Sequence, residues 1–210
     1  MSLDLAKPSI YLLTKGDATA ANFEQKSREI FDIIRVAVDE KISLVQIREK
    51  QLTGRQLFEL TVEAAKITRG KSTRLLINDH ADIALAAGAD GVHLAANSLP
   101  VNIIRENFPQ DFIIGASTHS LEGAKNTVEQ GADLLVFGPV FETPGKGAPQ
   151  GIAALSDVCE KLRPFPVIGL GGIDETNYAE VLAAGASGFA AIRSLNNPDK
   201  LRAMCNELIK

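Results

Sequence analysis

Alternating polar side chains stand in the segment "VQIREK", Val45–Lys50. Gln46, Arg48 and Lys50 occupy every second position, so an extended backbone places all three on one side. Between packed layers, two unpaired cations would cost several kcal/mol. The segment is therefore either a solvated strand end or a pair of cations that faces an anion. A planar guanidinium beside a compact ammonium would suit a diphosphate.

A second polar set lies in the segment "INDH", Ile77–His80. The carboxylate of Asp79 could hold Mg2+, which takes one or two carboxylates together with phosphate oxygens and water. The amide of Asn78 could hydrogen-bond a planar heterocycle. An asparagine followed by an aspartate is also typical of a helix N-cap, so a purely local role stays open.

Hydroxyl and imidazole groups follow in "GASTHS", Gly115–Ser120. Ser117 and His119 stand together there, and a histidine titrates near neutral pH. The alternative is that this serine- and threonine-rich stretch only caps the next helix. His93 differs because it lies within the apolar run "GVHLAA", which favours a place in the core over a ligand role.

Three later segments carry the remaining candidates. Thr143 and Lys146 belong to a glycine- and proline-rich stretch that is either a surface connector or a loop whose backbone N–H groups surround an anion. Gly172 lies in "GLGGI", where paired glycines allow close approach of a phosphate or form a tight turn. Ile192 and Arg193 lie in "AAIRS", and Arg193 either clamps a phosphate or pairs with an acid elsewhere.

Eight short apolar runs, separated by amphipathic helical segments, must position these residues. Runs without polar alternation are typical of parallel strands covered on both faces. They are Ile10–Thr14, Leu44–Arg48, Arg74–Asn78, Gly91–Ala95, Phe112–Ser117, Leu134–Gly138, Pro166–Gly171 and Gly188–Ile192.

This alternation predicts an α/β protein, a single (β/α)8 TIM barrel over residues 1–210. A doubly wound sheet is the alternative, but the first strand–helix junction has no G-x-G-x-x-G pattern. In a barrel the candidates follow their strands and meet at one end, with the phosphate loops after strands seven and eight facing the other cations. Two facing anion sites suit either the joining of a phosphorylated acceptor to a diphosphate donor or acid–base chemistry on one phosphorylated substrate.

Composition excludes several other classes. The formal net charge is −4, which disfavours a nucleic-acid partner. No run approaches the roughly 18 apolar residues of a membrane span, and the N-terminus does not resemble a signal peptide. The two cysteines, Cys159 and Cys205, form no metal-binding spacing. We therefore expect a cytoplasmic protein that binds neither nucleic acid nor membrane.

The motifs, taken in order, resemble those of the thiamine phosphate synthase and thiazole tautomerase superfamily along nearly the whole chain. They are "VQIREK", "INDHADIALAAGADGVHL", "GASTHS", "GPVFETPGK", "GLGGI" and "AGASGFAAI". In the synthase, the resemblance implies condensation of hydroxymethylpyrimidine diphosphate with thiazole phosphate, release of diphosphate and a need for Mg2+. Members of the superfamily are often oligomeric, so a homo-oligomer is compatible with the resemblance.

The resemblance also implies residue roles. Gln46 and Asn78 would contact the pyrimidine, and Asp79 would bind Mg2+. The diphosphate would be bound by Arg48, Lys50 and Lys146, with Ser117 nearby. Thr143 would lie near the thiazole phosphate, and the pocket for that phosphate would be lined by Gly172, Ile192 and the position of Arg193.

Three positions depart from the synthase pattern. The family sequence "HLGQEDLP" reads "HLAANSLP" here, so Ser98 or Asn97 replaces the second carboxylate ligand, which predicts weaker Mg2+ binding. Gly145 replaces a hydroxyl-bearing residue of "TPTK", and Arg193 replaces a serine.

Two other functions stay open. In the tautomerase branch, a histidine at the position of His119 would move protons on a thiazole carboxylate phosphate without diphosphate or metal. That branch commonly lacks the intact "REK" and "IND" set present here. A phosphate-binding barrel without either activity is the third possibility.

Overall fold

Eight parallel strands close into one barrel in the chain order β1 to β8. The structure is a computed structural model that describes residues 8–209. The strands are β1 (Ser9–Leu13), β2 (Leu44–Ile47), β3 (Arg74–Asn78), β4 (Gly91–Leu94), β5 (Ile113–Thr118), β6 (Leu134–Phe137), β7 (Val167–Leu170) and β8 (Gly188–Ala191). The expected (β/α)8 TIM barrel is confirmed. Residues 1–7 and residue 210 lie outside the described part, so the single domain over 1–210 stays a prediction.

Each strand is followed by an α-helix. The helices are α1 (Phe23–Asp39), α2 (Gly54–Thr68), α3 (Ala81–Ala87), α4 (Val101–Asn107), α5 (Leu121–Glu129), α6 (Gly151–Leu162), α7 (Tyr178–Ala183) and α8 (Pro198–Ile209). Two helices begin with side-chain caps: Thr53 accepts a hydrogen bond from the N–H of Gln56, and Ser120 accepts one from the N–H of Gly123. Gly88 ends α3 in the left-handed conformation, with φ of 77°.

Apolar side chains fill two separate regions. One lies between the strands and the helices, and includes Leu12, Ile34 and Phe189. The other fills the barrel interior, where Tyr11 and Leu44 are fully buried. This double burial explains why the strand sequences show apolar runs instead of alternation.

Several strands end one residue earlier than their apolar runs. Arg48, Ala95, Gly138, Gly171 and Ile192 all lie just beyond the last ladder residue. At Arg48 the reason is visible, because its N–H donates to the hydroxyl of Thr14 at 2.8 Å. A side chain thus ends the pairing of β1 and β2, and the residues that follow are free to line an opening.

No helix within residues 8–209 is long and apolar enough to cross a membrane. Both cysteines are buried free thiols. Burial raises the pKa of Cys159 and of Cys205 to about 11, so both remain protonated at neutral pH. The cytoplasmic location stays a prediction.

Candidate active site

A cavity of about 470 Å3 opens at the carboxyl ends of the strands. Arg48 and Lys146, separated by nearly a hundred residues of chain, both line it. The other candidates that line it are Gln46, Lys50, Asn78, Ser117, His119, Thr143, Gly172, Ile192 and Arg193. Asp79 is not among the lining residues. The barrel therefore brings together at one opening the polar groups that the strand ends predicted.

Three side chains form a polar row from β2 to the loop after β3. Gln46 donates from Nε2 to Oδ1 of Asn78 at 2.9 Å, and Asn78 donates from Nδ2 to Oδ2 of Asp79 at 2.7 Å. The second carboxylate oxygen accepts the N–H of Ala95 at 2.8 Å. Asp79 thus orients the amide of Asn78, and its backbone has a positive φ of 61°. Among residues 8–209, Oε1 of Gln46 is buried and meets no donor.

Glu49 was not among the candidates, but it holds the loop after β1 beside Arg48. Its side chain turns away from the cavity, is 3% exposed, and accepts the N–H groups of Gly16 at 3.0 Å and Ala18 at 2.8 Å. Gly16 has a φ of 77°, and a Cβ there would stand 3.2 Å from Nη1 of Arg48. The loop after β1 therefore lies against the Arg48 guanidinium, and Glu49 fastens that loop. The period-two pattern of "REK" was the available signal, since it assigns Glu49 to the opposite side.

His93 is both a core residue and a cavity residue. It is 3% exposed, as its place within a strand predicted, yet it lines the cavity and contacts Oγ of Ser117 through Nε2 at 2.8 Å. Burial lowers the pKa of His93 to about 4, opposed by the nearby Asp79 carboxylate, so the ring is neutral at physiological pH. Gly115 is the sequence signal, because a Cβ there would stand 3.0 Å from Nδ1 of this histidine.

Two loops form the side of the cavity after β7 and β8. Gly171 and Gly172 have φ values of 108° and 66°, and a Cβ on either would come within 2.6 Å of the loop after β6. Close packing of two loops thus requires both glycines. Ser194 donates from Oγ to the carbonyl of Ile173 at 3.1 Å and joins the two segments. Arg193, nearby, is exposed at the opening.

Backbone donors at these loops are available to a ligand. Within residues 8–209, the N–H groups of Gly172, Ile173 and Arg193 donate to no protein acceptor. Asn177 holds the first loop in shape, donating to the carbonyl of Gly172 and accepting the N–H of Asp174, each at 2.9 Å. Free N–H groups on a braced loop can bind a phosphate.

The loop after β6 brings Lys146 to the cavity. The N–H of Lys146 donates to the carbonyl of Thr143 at 3.1 Å, which forms a turn, and Gly145 within it has a φ of 74°. The hydroxyl of Thr143 donates to the carbonyl of Phe141 at 3.0 Å, which fixes its side chain within the loop. The Lys146 side chain is exposed.

Comparison with known sequences decides the family. The profile described as thiamine monophosphate synthase matches residues 11–195. The chain belongs to this family.

Relatives named thiamine-phosphate synthase align with four fifths or more of the chain. A thiamine-phosphate synthase of Chlorobium phaeobacteroides is 36% identical over 98% of each chain. One of Methanoculleus marisnigri is 39% identical over 81% of this chain and 82% of its own. A solved structure of thiamine phosphate pyrophosphorylase from Pyrococcus furiosus superimposes with a TM-score of 0.81 at 28% identity, covering 98% of this chain and 99% of the other.

The metal donors of this family member are few. Within residues 8–209, no three His, Cys, Asp or Glu side chains are close enough to hold a metal ion together. Asp79 offers one carboxylate, both of whose oxygens already accept a hydrogen bond and keep a further lone pair. Asn97 lines the cavity, and Ser98 does not. This donor set fits a Mg2+ site only if phosphate oxygens of a ligand complete it.

His119 occupies the rim of the cavity. Its Nδ1 contacts the carbonyl oxygen of Gly138, which orients the ring, and the side chain is exposed. A ring held at Nδ1 has Nε2 available for a substrate.

Proposed function

We propose that the chain is a thiamine-phosphate synthase, which joins hydroxymethylpyrimidine diphosphate to thiazole phosphate and releases diphosphate. The observation that carries the proposal is the meeting of Arg48, Lys50 and Lys146 at one cavity that is also lined by Gly172, Ile173 and Arg193, whose N–H groups donate to no acceptor within residues 8–209. Two anion sites at one opening suit a reaction between two phosphorylated molecules. The names and the coverage of the relatives agree with this activity.

The pyrimidine fits the polar row at the base of the cavity. The buried Oε1 of Gln46 needs a donor, and the amino group of an aminopyrimidine would supply one. Asn78, oriented by Asp79, would present its amide to the same ring. Specificity then follows from a buried acceptor that only a ring bearing a hydrogen-bond donor at this position satisfies.

The reaction breaks the bond between the pyrimidine methylene carbon and the diphosphate oxygen, and forms a bond from that carbon to the thiazole nitrogen. The methylene cation is stabilised by the ring, so catalysis depends on neutralising the leaving diphosphate. Arg48, Lys50 and Lys146 would bind the charge that develops on it, and Ser117 would donate a hydrogen bond. Mg2+, held by Asp79 and the diphosphate oxygens, would add positive charge there. No protein nucleophile is needed.

The thiazole phosphate would bind across the cavity. The N–H groups of Gly172, Ile173 and Arg193 would surround its phosphate, with Thr143 and Ile192 beside it. The exposed Arg193 guanidinium would add a charge that suits a dianion. This placement would bring the thiazole and the pyrimidine methylene carbon into the same cavity.

An assay with purified protein tests the proposal. Incubation with both substrates and Mg2+ should yield thiamine phosphate and diphosphate in equal amounts, each dependent on both substrates. Absence of product at high enzyme concentration would reject the proposal.

A tautomerase is the second candidate, favoured by His119, whose ring is held at the cavity rim by Gly138. A parallel incubation with thiazole carboxylate phosphate alone would reveal it as isomerisation without any diphosphate substrate. Loss of that isomerisation in His119→Asn, with the condensation retained, would assign the second activity to this ring.

A further inference from the structure

Three hydrogen-bonded polar side chains extend through the barrel interior from β1 to the cavity. The hydroxyl of Tyr11 lies 3.3 Å from Nδ1 of His93, and Nε2 of the same ring lies 2.8 Å from Oγ of Ser117. Tyr11 is fully buried, whereas His93, which is 3% exposed, and Ser117 both line the cavity. Ser117 is partly exposed and is the most accessible of the three to a ligand.

The hydrogen bonds between Tyr11, His93 and Ser117 favour one direction of donation. Burial raises the pKa of Tyr11 well above its ordinary value, so the phenol keeps its proton. Within residues 8–209 its only hydrogen-bond partner is Nδ1 of His93, which must therefore accept. A neutral imidazole carries one N–H, and that N–H then lies on Nε2 and donates to Ser117.

The position of the ring is set by its surroundings. Tyr11 and His93 meet edge to face, with ring centroids 5.8 Å apart at an angle of 61°. On the other side, the missing side chain of Gly115 leaves room for Nδ1. Tyr11 and Gly115 therefore lie close to the His93 ring, and the hydrogen bonds that the ring makes depend on its tautomer.

We propose that Tyr11 and His93 are positioning residues that fix Ser117 as a hydrogen-bond donor toward the leaving diphosphate. An oxygen that accepts from Nε2 has its own proton free to point into the cavity. In the opposite tautomer, Ser117 would donate to Nε2 and present lone pairs to an anion. The hydrogen bond from Ser117 to the leaving diphosphate rests on the proposed synthase activity. The tautomer of His93 does not depend on that activity.

Nitrogen-15 NMR of the histidine rings tests the tautomer directly, since the chain has three histidines. We expect the Nε2–H form for His93 in the wild type and a shift toward Nδ1–H in Tyr11→Phe. The matched control is Tyr178→Phe, which removes the other tyrosine hydroxyl, bonded to Glu207 at 2.7 Å. An Nδ1–H wild type would overturn the proposal, even if no variant folds. An unchanged tautomer in folded Tyr11→Phe would also overturn it.

A double-mutant cycle tests the consequence for catalysis. Ser117→Ala should lower kcat on the order of 100-fold, the effect of losing one preorganised donor, and Tyr11→Phe by a smaller factor. Because both act through the same hydroxyl, the double variant should be no slower than Ser117→Ala alone. Additive losses would mean that Tyr11 acts only on packing, and would reject its positioning role.

Failure of the synthase proposal would look different. The wild type would then form no product, while titration with inorganic diphosphate would still report binding at Arg48, Lys50 and Lys146. In that case the tautomer experiment still decides whether the Ser117 hydroxyl donates into the cavity. Tyr11→Phe should then weaken the binding of inorganic diphosphate by a few-fold. Unchanged diphosphate affinity in Tyr11→Phe would count against the proposed orientation.

Discussion

Gln46 donates a hydrogen bond to Asn78 at 2.9 Å, and its own carbonyl oxygen remains buried without a donor among residues 8–209. A buried acceptor without a partner costs free energy in the unliganded protein. A ligand that supplies a donor recovers that cost on binding. The hydrogen bond to Asn78 thus fixes the orientation of the Gln46 amide, and Oε1 of Gln46 remains able to accept a hydrogen bond from a ligand.

Replacing that acceptor should weaken binding of the pyrimidine. Gln46→Met keeps the length of the side chain and removes the carbonyl, so the KM for the pyrimidine diphosphate should rise roughly tenfold. Steady-state kinetics with the thiazole phosphate saturating measures the change. Gln25→Met, on the exposed face of α1, is the matched control and should behave as the wild type. An unchanged KM in Gln46→Met would remove this residue from the binding site.

Removal of the Lys146 ammonium, in the loop after β6, should slow the chemical step. Lys146→Met should reduce kcat by about 100-fold, because the ammonium would neutralise charge that develops on the leaving group. Lys161→Met removes a lysine of α6 that pairs with Asp157 at 2.8 Å, and should change kcat little. Equal effects of the two substitutions, in single-turnover measurements, would contradict a specific role for Lys146.

A carboxylate restored after β4 should strengthen metal binding. Ser98→Asp should lower the Mg2+ concentration needed for half-maximal rate, because Asp79 offers the single carboxylate of the proposed site. Asn97→Asp tests the neighbouring position, which lines the cavity. Calorimetric titration of Mg2+ with inorganic diphosphate present gives a second readout. Asn126→Asp, exposed on α5, controls for net charge. If neither substitution after β4 changes the Mg2+ requirement, the proposed metal position is wrong.

The arginine after β8 should act on one substrate only. Arg193→Ser should raise the KM for thiazole phosphate roughly threefold to fivefold, since an exposed ion pair contributes about 1 kcal/mol or less. The KM for the pyrimidine diphosphate should stay constant, which provides an internal control. Arg193→Lys should recover part of the loss. An unaltered KM for thiazole phosphate would show that the guanidinium does not contact that phosphate.

The buried carboxylate of Glu49 should matter for stability. Glu49→Ala leaves the N–H groups of Gly16 and Ala18 without their acceptor, so the free energy of unfolding should fall by on the order of 2 kcal/mol. Urea denaturation measures it. Glu63→Ala, which removes an exposed partner of Lys66 on α2, should cost much less. Similar losses in both variants would mean that the loop after β1 does not depend on Glu49.

The sequence by itself determined the architecture and the end of the barrel at which the site lies. Eight apolar runs separated by amphipathic helices leave few arrangements other than a closed parallel barrel, and polar residues that follow strands must then meet at one end. Arg48, Asn78 and Ser117 were predictable for this reason, because a local pattern specifies on which side of a strand a residue stands, whereas Lys146 was predictable from its glycine- and proline-rich loop. The residue roles taken from the family resemblance remain predictions.

Tertiary structure alone decided the partners of these residues. Glu49 accepts from a loop some thirty residues earlier, His93 joins Tyr11 to Ser117 across the barrel, and Asp79 accepts hydrogen bonds from Asn78 and Ala95. Such pairs depend on the register between strands and on the distance across the barrel. A sequence pattern predicts on which side of its own strand each side chain lies. A hydrogen bond depends on the orientation of both groups and on the distance between them, and these are set only when the barrel has closed.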